Sequence, residues 1–331
     1  MTTGPWSMSR NYTYEMAGLE VDNLLAFLAL MGVLRALEQA EPIWEAMASW
    51  AGPPWRARLH LGVEMSRRSI AEAACRGVEA IAACYDADGR ANVAFERAAF
   101  RSYAGRMRGH AIGAALAAAL TAEHPEKRAG GLLAAPLVMM FGQGHQNFLD
   151  RLLEVPRGTL PSRHRKLKKP PDFRDPALVE AALFSPWRRA DDADGFRWDP
   201  EDDQRYALRH GDPSSAGAAP TVLGANRLAA IGFLSFACVP GSRVMARGSG
   251  RDDDGVYFAW PIWTQPLGRR SIEQFLAHPD VLGGRIERLA PLGVQEIYRA
   301  RRIANGKFMN VSRALPVRRA GPSSGSRRRG G

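Results

Sequence analysis

Residues 23–37 read NLLAFLALMGVLRAL and contain the longest apolar run of the chain, from Leu24 to Leu34. The larger apolar side chains in it recur at spacings of three and four: Leu24, Phe27, Leu28, Met31 and Leu34. This spacing predicts a helix, and apolar residues also cover much of its remaining surface. Asp22 or Asn23 is the predicted N-cap, because a short side-chain oxygen accepts from a first-turn N–H. A helix with so little polar surface belongs at the centre of a fold.

The segments around this helix predict an α+β fold, with a mainly helical N-terminal half and a C-terminal half of mixed helices and antiparallel strands. RARLHLGV at 56–63 alternates as a strand. Ala-rich composition predicts helices near 66–85, 94–104 and 110–123. Further helices are expected at 177–183, 224–236 and 271–277, and strands at 244–246, 256–263, 296–303 and 308–312. Elements that do not alternate as strand–helix–strand units favour α+β.

Basic residues and prolines mark a break in the chain at 157–171. We therefore expect a mainly helical domain over 1–156, a basic linker or loop over 157–175, and an α+β domain over 176–317. Residues 318–331 combine five arginines with Gly, Ser and Pro, which is typical of a disordered tail.

The charge balance indicates a polyanionic partner. The 331 residues include 45 Lys and Arg against 34 Asp and Glu, a formal net charge of +11. Three cysteines without a CxxC pair fit a reducing compartment. No apolar run reaches the roughly 18 to 20 residues that a bilayer crossing requires, and the first residues lack the pattern of a secretory signal. We expect a cytoplasmic protein with no membrane partner.

Common catalytic signatures are missing from the sequence. Gly306-Lys307 is followed by Phe308 where a phosphate-binding loop needs Ser or Thr, and the seven histidines do not occur at metal-ligand spacing. The sequence therefore predicts no catalytic residue, no metal and no cofactor. A remote alternative is a metal-dependent nuclease built on Asp199 to Asp203. The preferred interpretation of those carboxylates is an acidic segment that pairs with the basic residues of 157–169.

Nucleic-acid contacts are predicted first in the basic loop, because Lys and Arg that neutralise phosphates release counterions. The predicted contact residues are Arg163, Arg165, Lys166, Lys168 and Lys169. A solvated linker, or a loop neutralised by the acidic residues of 191–203, is the alternative.

Three other segments carry candidate contacts. Gln143 and His145 lie in the Gly- and amide-rich segment 142–147. Asn226 is a candidate helix cap, and Arg227 beside it is a candidate phosphate ligand. Arg302 and Lys307 belong to a second basic cluster on strand-like sequence, where alternation is expected to gather the charges on one face beside aromatic rings. That cluster comprises Arg299, Arg301, Arg302, Lys307 and Arg313, with Tyr298 and Phe308 interleaved.

Short segments in a fixed order along residues 18–315 together resemble proteins encoded in type I CRISPR loci of the G subtype, formerly called U. They are residues 18–19 with 23–35, 142–149, 197–200 with 205–207, 212–214, 224–229, 260–263 and 306–308. The family's usual Phe-Arg-Asn near the C-terminus stands here as Phe308-Met309-Asn310.

The resemblance implies a non-catalytic subunit of an antiviral, RNA-guided effector complex. Its implied partners are the other effector subunits and guide RNA or target DNA, with the CRISPR helicase-nuclease as a further partner. Guide pairing reads sequence in such complexes, which leaves protein subunits to hold the nucleic-acid backbone. The competing hypothesis is a protein-only scaffold, or an adaptor to the helicase-nuclease, that contacts its partners through Trp260, Trp263 and the apolar helices.

Overall fold

The computed structural model describes residues 12–123, 132–140, 147–160, 167–202, 220–239, 244–305 and 308–317. Helices dominate up to about residue 230, and antiparallel sheets with short helices follow. The predicted α+β class is therefore confirmed. None of the described helices is both long and apolar enough to span a lipid bilayer.

The helices are named in chain order. They are α1 (Leu24–Ala40), α2 (Arg67–Ala83), α3 (Arg97–Met107), α4 (Ala111–Leu120), α5 (Phe148–Glu154), α6 (Pro176–Phe184), α7 (Leu223–Gly232), α8 (Arg269–Ala277), α9 (Pro279–Leu282) and α10 (Ile286–Leu289). The helices expected near 66–85, 94–104, 110–123, 177–183, 224–236 and 271–277 are all present, with ends shifted by a few residues.

The strands form antiparallel sheets. They are β1 (Tyr12–Glu15), β2 (Met47–Ala51), β3 (Arg56–Leu61), β4 (Cys238–Val239), β5 (Met245–Ala246), β6 (Ser249–Asp252), β7 (Gly255–Trp263), β8 (Leu267–Gly268), β9 (Val294–Asn305), β10 (Phe308–Val311) and β11 (Leu315–Pro316). One sheet has the order β1-β3-β2-β8, and another has the order β10-β9-β7-β6, with β11 also pairing β9. Strands β4 and β5 pair with each other.

Helix α1 is the centre of the hydrophobic core, as its sequence predicts. Almost every side chain from Leu24 to Leu37 is buried. Of the two predicted caps, Asn23 is the one used: its side-chain oxygen accepts from the backbone N–H of Leu25 at 2.9 Å. The cap fixes where the helix begins, and burial on all sides supplies its stability, because most of the stability of a helix in a protein comes from tertiary packing.

Helix α7 packs against α1 at very close range, and glycines make this possible. A Cβ atom on Gly32 would lie 1.9 Å from the carbonyl oxygen of Leu228, and one on Gly232 would lie 1.9 Å from that of Leu28. The contact joins residues from both sides of the basic segment 157–175 into one hydrophobic cluster. The division into two domains at that segment stays a prediction.

Short strands account for most elements that the sequence patterns did not predict. Strands β1 and β2 flank β3 in the N-terminal sheet, and β6 forms a hairpin with β7. The strand predicted at 244–246 is present as β5, and its partner is β4. The four residues of β6 alternate too briefly to be distinguished from the acidic turn that follows them.

Candidate nucleic-acid interface

The basic loop 157–175 begins at an arginine that is fixed to the end of α2. The Arg157 guanidinium donates to the carbonyl oxygen of Ala82 through Nε at 3.2 Å and Nη2 at 2.9 Å, and to that of Tyr85 through Nη2 at 2.9 Å. The last carbonyls of a helix have no partner inside the helix, and they carry partial negative charge. A cation at this position therefore fixes the first end of the loop to the helical core.

The loop returns to its starting point before α6. Arg174 Nε donates to the carbonyl oxygen of Arg157 at 3.1 Å, and Phe173 beside it is buried. Asp175 caps α6 by accepting from the backbone N–H of Ala177 at 2.8 Å. Gly158 has a φ of +63°, a conformation that favours glycine, where the chain leaves Arg157. Arg157 and Arg174 therefore hold the two ends of the loop close together.

The loop carries two exposed lysines, Lys168 and Lys169. In the part of the chain that the structure describes, neither has a carboxylate within 4.0 Å. Arg163, Arg165 and Lys166 lie outside the described residues. The described lysines have the exposure that a phosphate contact requires.

Several carboxylates of the acidic segment that follows have partners outside the loop 157–175. Asp191 accepts from the backbone N–H of Leu223 at 2.8 Å, at the start of α7. Asp194 pairs with Arg151, Asp199 with Arg189, and Glu201 with Arg313. Asp191, Asp199 and Glu201 thus have partners outside residues 157–169, and for the other carboxylates of the run the pairing with that segment stays a prediction.

Asp199 is the carboxylate on which the metal-nuclease alternative depended. It is fully buried, and Arg189 donates to both its oxygens, at 2.8 and 3.2 Å. The Asn23 side chain donates to it at 3.0 Å. Among the residues that the structure describes, no three His, Cys, Asp or Glu side chains are grouped as metal ligands, and Asp203 lies outside them. An arginine and the cap of α1 thus occupy the oxygens that a metal would need.

Asn226 and Arg227 are buried inside the protein, contrary to their predicted roles. Helix α7 begins before them, at Leu223, and the Asp191 carboxylate accepts from the backbone N–H of this first residue. Asn226 is the fourth residue of the helix, and its amide donates to Thr221 Oγ1 and to the carbonyl oxygen of Val222, both at 3.0 Å. The prediction of a helix cap at Asn226 is therefore wrong.

Arg227 has no exposed surface and faces the core between α7 and α2. Its Nε donates to the carbonyl oxygen of Pro156 at 3.4 Å, and its Nη2 lies 3.7 Å from the Glu79 carboxylate. Cys75 Sγ lies 3.7 Å from Nη1, and burial raises the pKa of this thiol. In this arrangement Arg227 cannot reach a phosphate in solvent, so the predicted contact is wrong. Arg227 is buried because all residues of α7 are packed inside the protein.

The second basic cluster is divided between the two faces of its sheet. Arg299 and Arg301 lie on one face, where Arg299 stacks 4.0 Å from the Tyr257 ring and Arg301 donates to Asp252 at 2.7 Å. Arg302 and Tyr298 point to the other face, because side chains alternate along β9. Arg313 lies beyond β10 and pairs with Asp22 at 3.0 Å. The expectation of one basic face with aromatic rings is therefore wrong. Lys307, Gln143 and His145 lie outside the described residues.

The two tryptophans of the scaffold hypothesis are part of the protein's own core. Trp260 stacks on Phe27 of α1 with ring centroids 5.3 Å apart, and its Nε1 donates to the carbonyl oxygen of Val21 at 3.1 Å. Trp263 is fully buried and donates to the carbonyl oxygen of Ala48 at 2.8 Å. Their surfaces are already covered, so a partner subunit cannot dock on them without displacing the core.

A cleft of about 790 Å³ lies beside the β6-β7 hairpin. Its lining combines apolar side chains, such as Met245 and Leu276, with charged ones: Arg247, Arg251, Asp252 and Asp253. Sequence patterns did not indicate Arg251, because it directly precedes the acidic turn Asp252 to Asp254. The only local signal is the alternation within the four residues of β6. The lining therefore carries charges of both signs, and Arg247 lies 3.8 Å from the Glu273 carboxylate.

Comparisons with known proteins add no relative. No protein-family model, curated protein or solved structure matches the chain.

Proposed function

We propose that this protein is a non-catalytic subunit of an RNA-guided antiviral complex of the type I CRISPR kind, and that it holds nucleic-acid backbone through the loop 157–175. The resemblance of the ordered segments between residues 18 and 315 supports the complex. The observation that carries the nucleic-acid role is the exposure of Lys168 and Lys169 on a loop fixed at both ends, with no carboxylate partner among the described residues.

The geometry of the loop favours backbone binding over base recognition. Lysine is a flexible point charge, and it suits a phosphate better than a patterned base edge. The anchored ends, Arg157 and Arg174, reduce the entropy that is lost when the loop binds. Binding through such contacts is insensitive to sequence, which fits a complex in which guide pairing supplies specificity.

The salt dependence of binding tests the loop. The full chain carrying Lys168→Ala and Lys169→Ala is compared with the unmodified chain on one DNA duplex and the RNA duplex of the same sequence. Each lost phosphate contact should reduce the slope of log K against log salt by about 0.9 on DNA. Affinity should fall by a similar factor for unrelated sequences, since phosphates carry no base identity.

The matched control removes two cations that already have carboxylate partners. Arg76 lies 2.7 Å from Glu41, and Arg101 lies 2.7 Å from Glu123. Arg76→Ala with Arg101→Ala gives the same change in net charge and should leave the slope nearly unchanged. An equal loss in both double variants would mean that overall charge, and not the loop, governs binding.

Copurification tests the complex itself. The tagged full chain, expressed with the genes next to its own and a guide RNA, should be recovered with both protein and RNA. Recovery with protein subunits alone, together with an unchanged salt slope for the loop variant, would favour the scaffold or adaptor role.

A further inference from the structure

Arg251 and Arg302 lie on the same face of the C-terminal sheet. Arg251 of β6 pairs with Val256 of β7. Tyr257 of β7 pairs with Arg301 of β9. The next residues in this antiparallel register are Val256 and Arg302, which therefore lie opposite each other. Paired residues of antiparallel strands point to the same side, so both arginines flank Val256. Two strand spacings separate their backbones by about 10 Å, which two arginine side chains can bridge.

The two faces of this sheet differ in how their arginines are neutralised. On the opposite face, Arg301 binds Asp252 and Asp254, and Arg299 lies 3.7 Å from Asp252. Asp252 and Asp254 therefore neutralise arginines of that face. In the described part of the chain, neither Arg251 nor Arg302 has a carboxylate within 4.0 Å. The face that holds these two arginines keeps two uncompensated charges.

Arg302 is unusual because its charged side chain is partly buried without a counterion among the described residues. Its side chain is half-buried, and the one side-chain hydrogen bond that it makes to the described residues is long, 3.5 Å from Nη1 to the carbonyl oxygen of Pro136. Burial lowers the pKa of Arg302, and the nearby charge of Arg251 lowers it further. An arginine stays charged at neutral pH even so. A half-buried cation beside a like charge is unfavourable until an anion joins the two.

We propose that Arg251 and Arg302 form a phosphate-binding site that takes the phosphodiester backbone of a nucleic acid. The guanidinium group is planar and offers paired N–H donors that match phosphate oxygens. Arg251 is exposed and lines the 790 Å³ cleft, so a nucleic-acid strand can reach it from solvent. The choice of nucleic acid over free phosphate rests on the proposed function. The site lies on strands β6 and β9, apart in sequence from the loop 157–175. It gives the chain a second contact with the nucleic-acid backbone.

The site is tested by the salt slope of duplex DNA binding. Arg251→Ala, Arg302→Gln and the double variant are compared with the unmodified full chain. Each lost contact should lower the slope by about 0.9, and by about 1.8 in the double variant. The control is Arg288→Ala, because Arg288 is an exposed cation 3.8 Å from Asp280. Arg302 is half-buried, so circular dichroism must show an unchanged fold; Arg251→Ala alone carries the test if Arg302→Gln unfolds.

Inorganic pyrophosphate distinguishes the source of the phosphate. It should raise the thermal midpoint of the unmodified chain and not that of the double variant, because a ligand stabilises the form that binds it. A pyrophosphate effect with an unchanged DNA slope would overturn the nucleic-acid assignment. No effect of the double variant on either ligand would overturn the site itself.

The loop variant separates this inference from the proposed function. If Lys168→Ala with Lys169→Ala lowers the slope and the arginine variants do not, the inference fails and the function stands. If the unmodified chain binds neither DNA nor RNA, the proposed function fails, and the pyrophosphate measurement alone decides whether the arginines form a phosphate site.

Discussion

Gly32→Ala should destabilise the protein strongly, because Gly32 is where α1 and α7 meet. The added Cβ would stand 1.9 Å from the carbonyl oxygen of Leu228, and real Cβ contacts are at least 3.0 Å. The helices must therefore separate by about 1 Å. Flexible side chains cannot absorb this shift, because Leu228 meets the new atom with its backbone and Gly232 faces Leu28 in the same way.

The magnitude follows from two opposing effects. Replacing glycine by alanine inside a helix stabilises it by about 1 kcal/mol, since glycine loses more backbone entropy. Overpacking a buried contact costs about 1 to 3 kcal/mol and sometimes more, and a gap of 0.5 to 1 Å forfeits about a quarter to a half of each dispersion contact. Many side chains of α1 lose contacts together, so the overpacking cost lies at or above the top of that range, and we expect a net loss of about 2 kcal/mol or more.

Gly105 in α3 is the matched control. It is exposed, and a Cβ there would meet nothing within 4 Å. The same substitution at Gly105 should stabilise the protein by about 0.5 to 1 kcal/mol. Urea unfolding of both variants, followed by circular dichroism, gives the two free energies. A Gly32→Ala protein within about 0.5 kcal/mol of the unmodified chain would refute the close packing of α1 on α7.

Two further predictions concern buried polar groups. Asp199→Ala should cost about 3 to 5 kcal/mol in urea unfolding, because it leaves Arg189 without its buried partner; a loss below about 1 kcal/mol would contradict this, and adding Arg189→Met should recover part of it. The ring nitrogens of His60 form hydrogen bonds with Ser49 Oγ at 2.8 Å and with Thr13 Oγ1 at 3.1 Å. Burial, and to a smaller extent the charge of Arg58, lowers the pKa of His60 below 6.5. The unfolded chain then binds a proton at higher pH than the folded one, so this contribution is present above pH 6.5 and is lost as the pH falls through the folded pKa. His60→Gln should flatten the fall of the urea midpoint between about pH 7.5 and 5, and an unaltered pH profile would show that His60 does not contribute.

The segments that carry the family resemblance have a shared structural role where the structure describes them. Asn23 caps α1 and binds Asp199, Gly224 to Ala229 lie in the helix that packs on α1, and Trp260 stacks on Phe27. Among the described residues, the resemblance therefore rests mainly on residues that build the core around α1. The surface chemistry of the protein lies elsewhere, on loops and short strands.

Sequence alone determined the elements whose pattern is local. A long apolar run with spacings of three and four identified α1 and its burial, alternation identified β3, and strand-like composition identified β7 and β9. Composition also gave the basic character of the chain. These properties follow from the period of the side chains along one element, so no other part of the chain is needed to derive them.

The tertiary structure alone decided which charges are free. Arg227 and Arg302 look alike in sequence, yet the first is enclosed by the core and the second stands on a sheet face without a carboxylate. Arg301, one residue from Arg302, is neutralised by Asp252 because alternation turns it to the opposite face. Whether an arginine meets a carboxylate depends on residues distant in the chain, and only the packing of the elements brings those residues together.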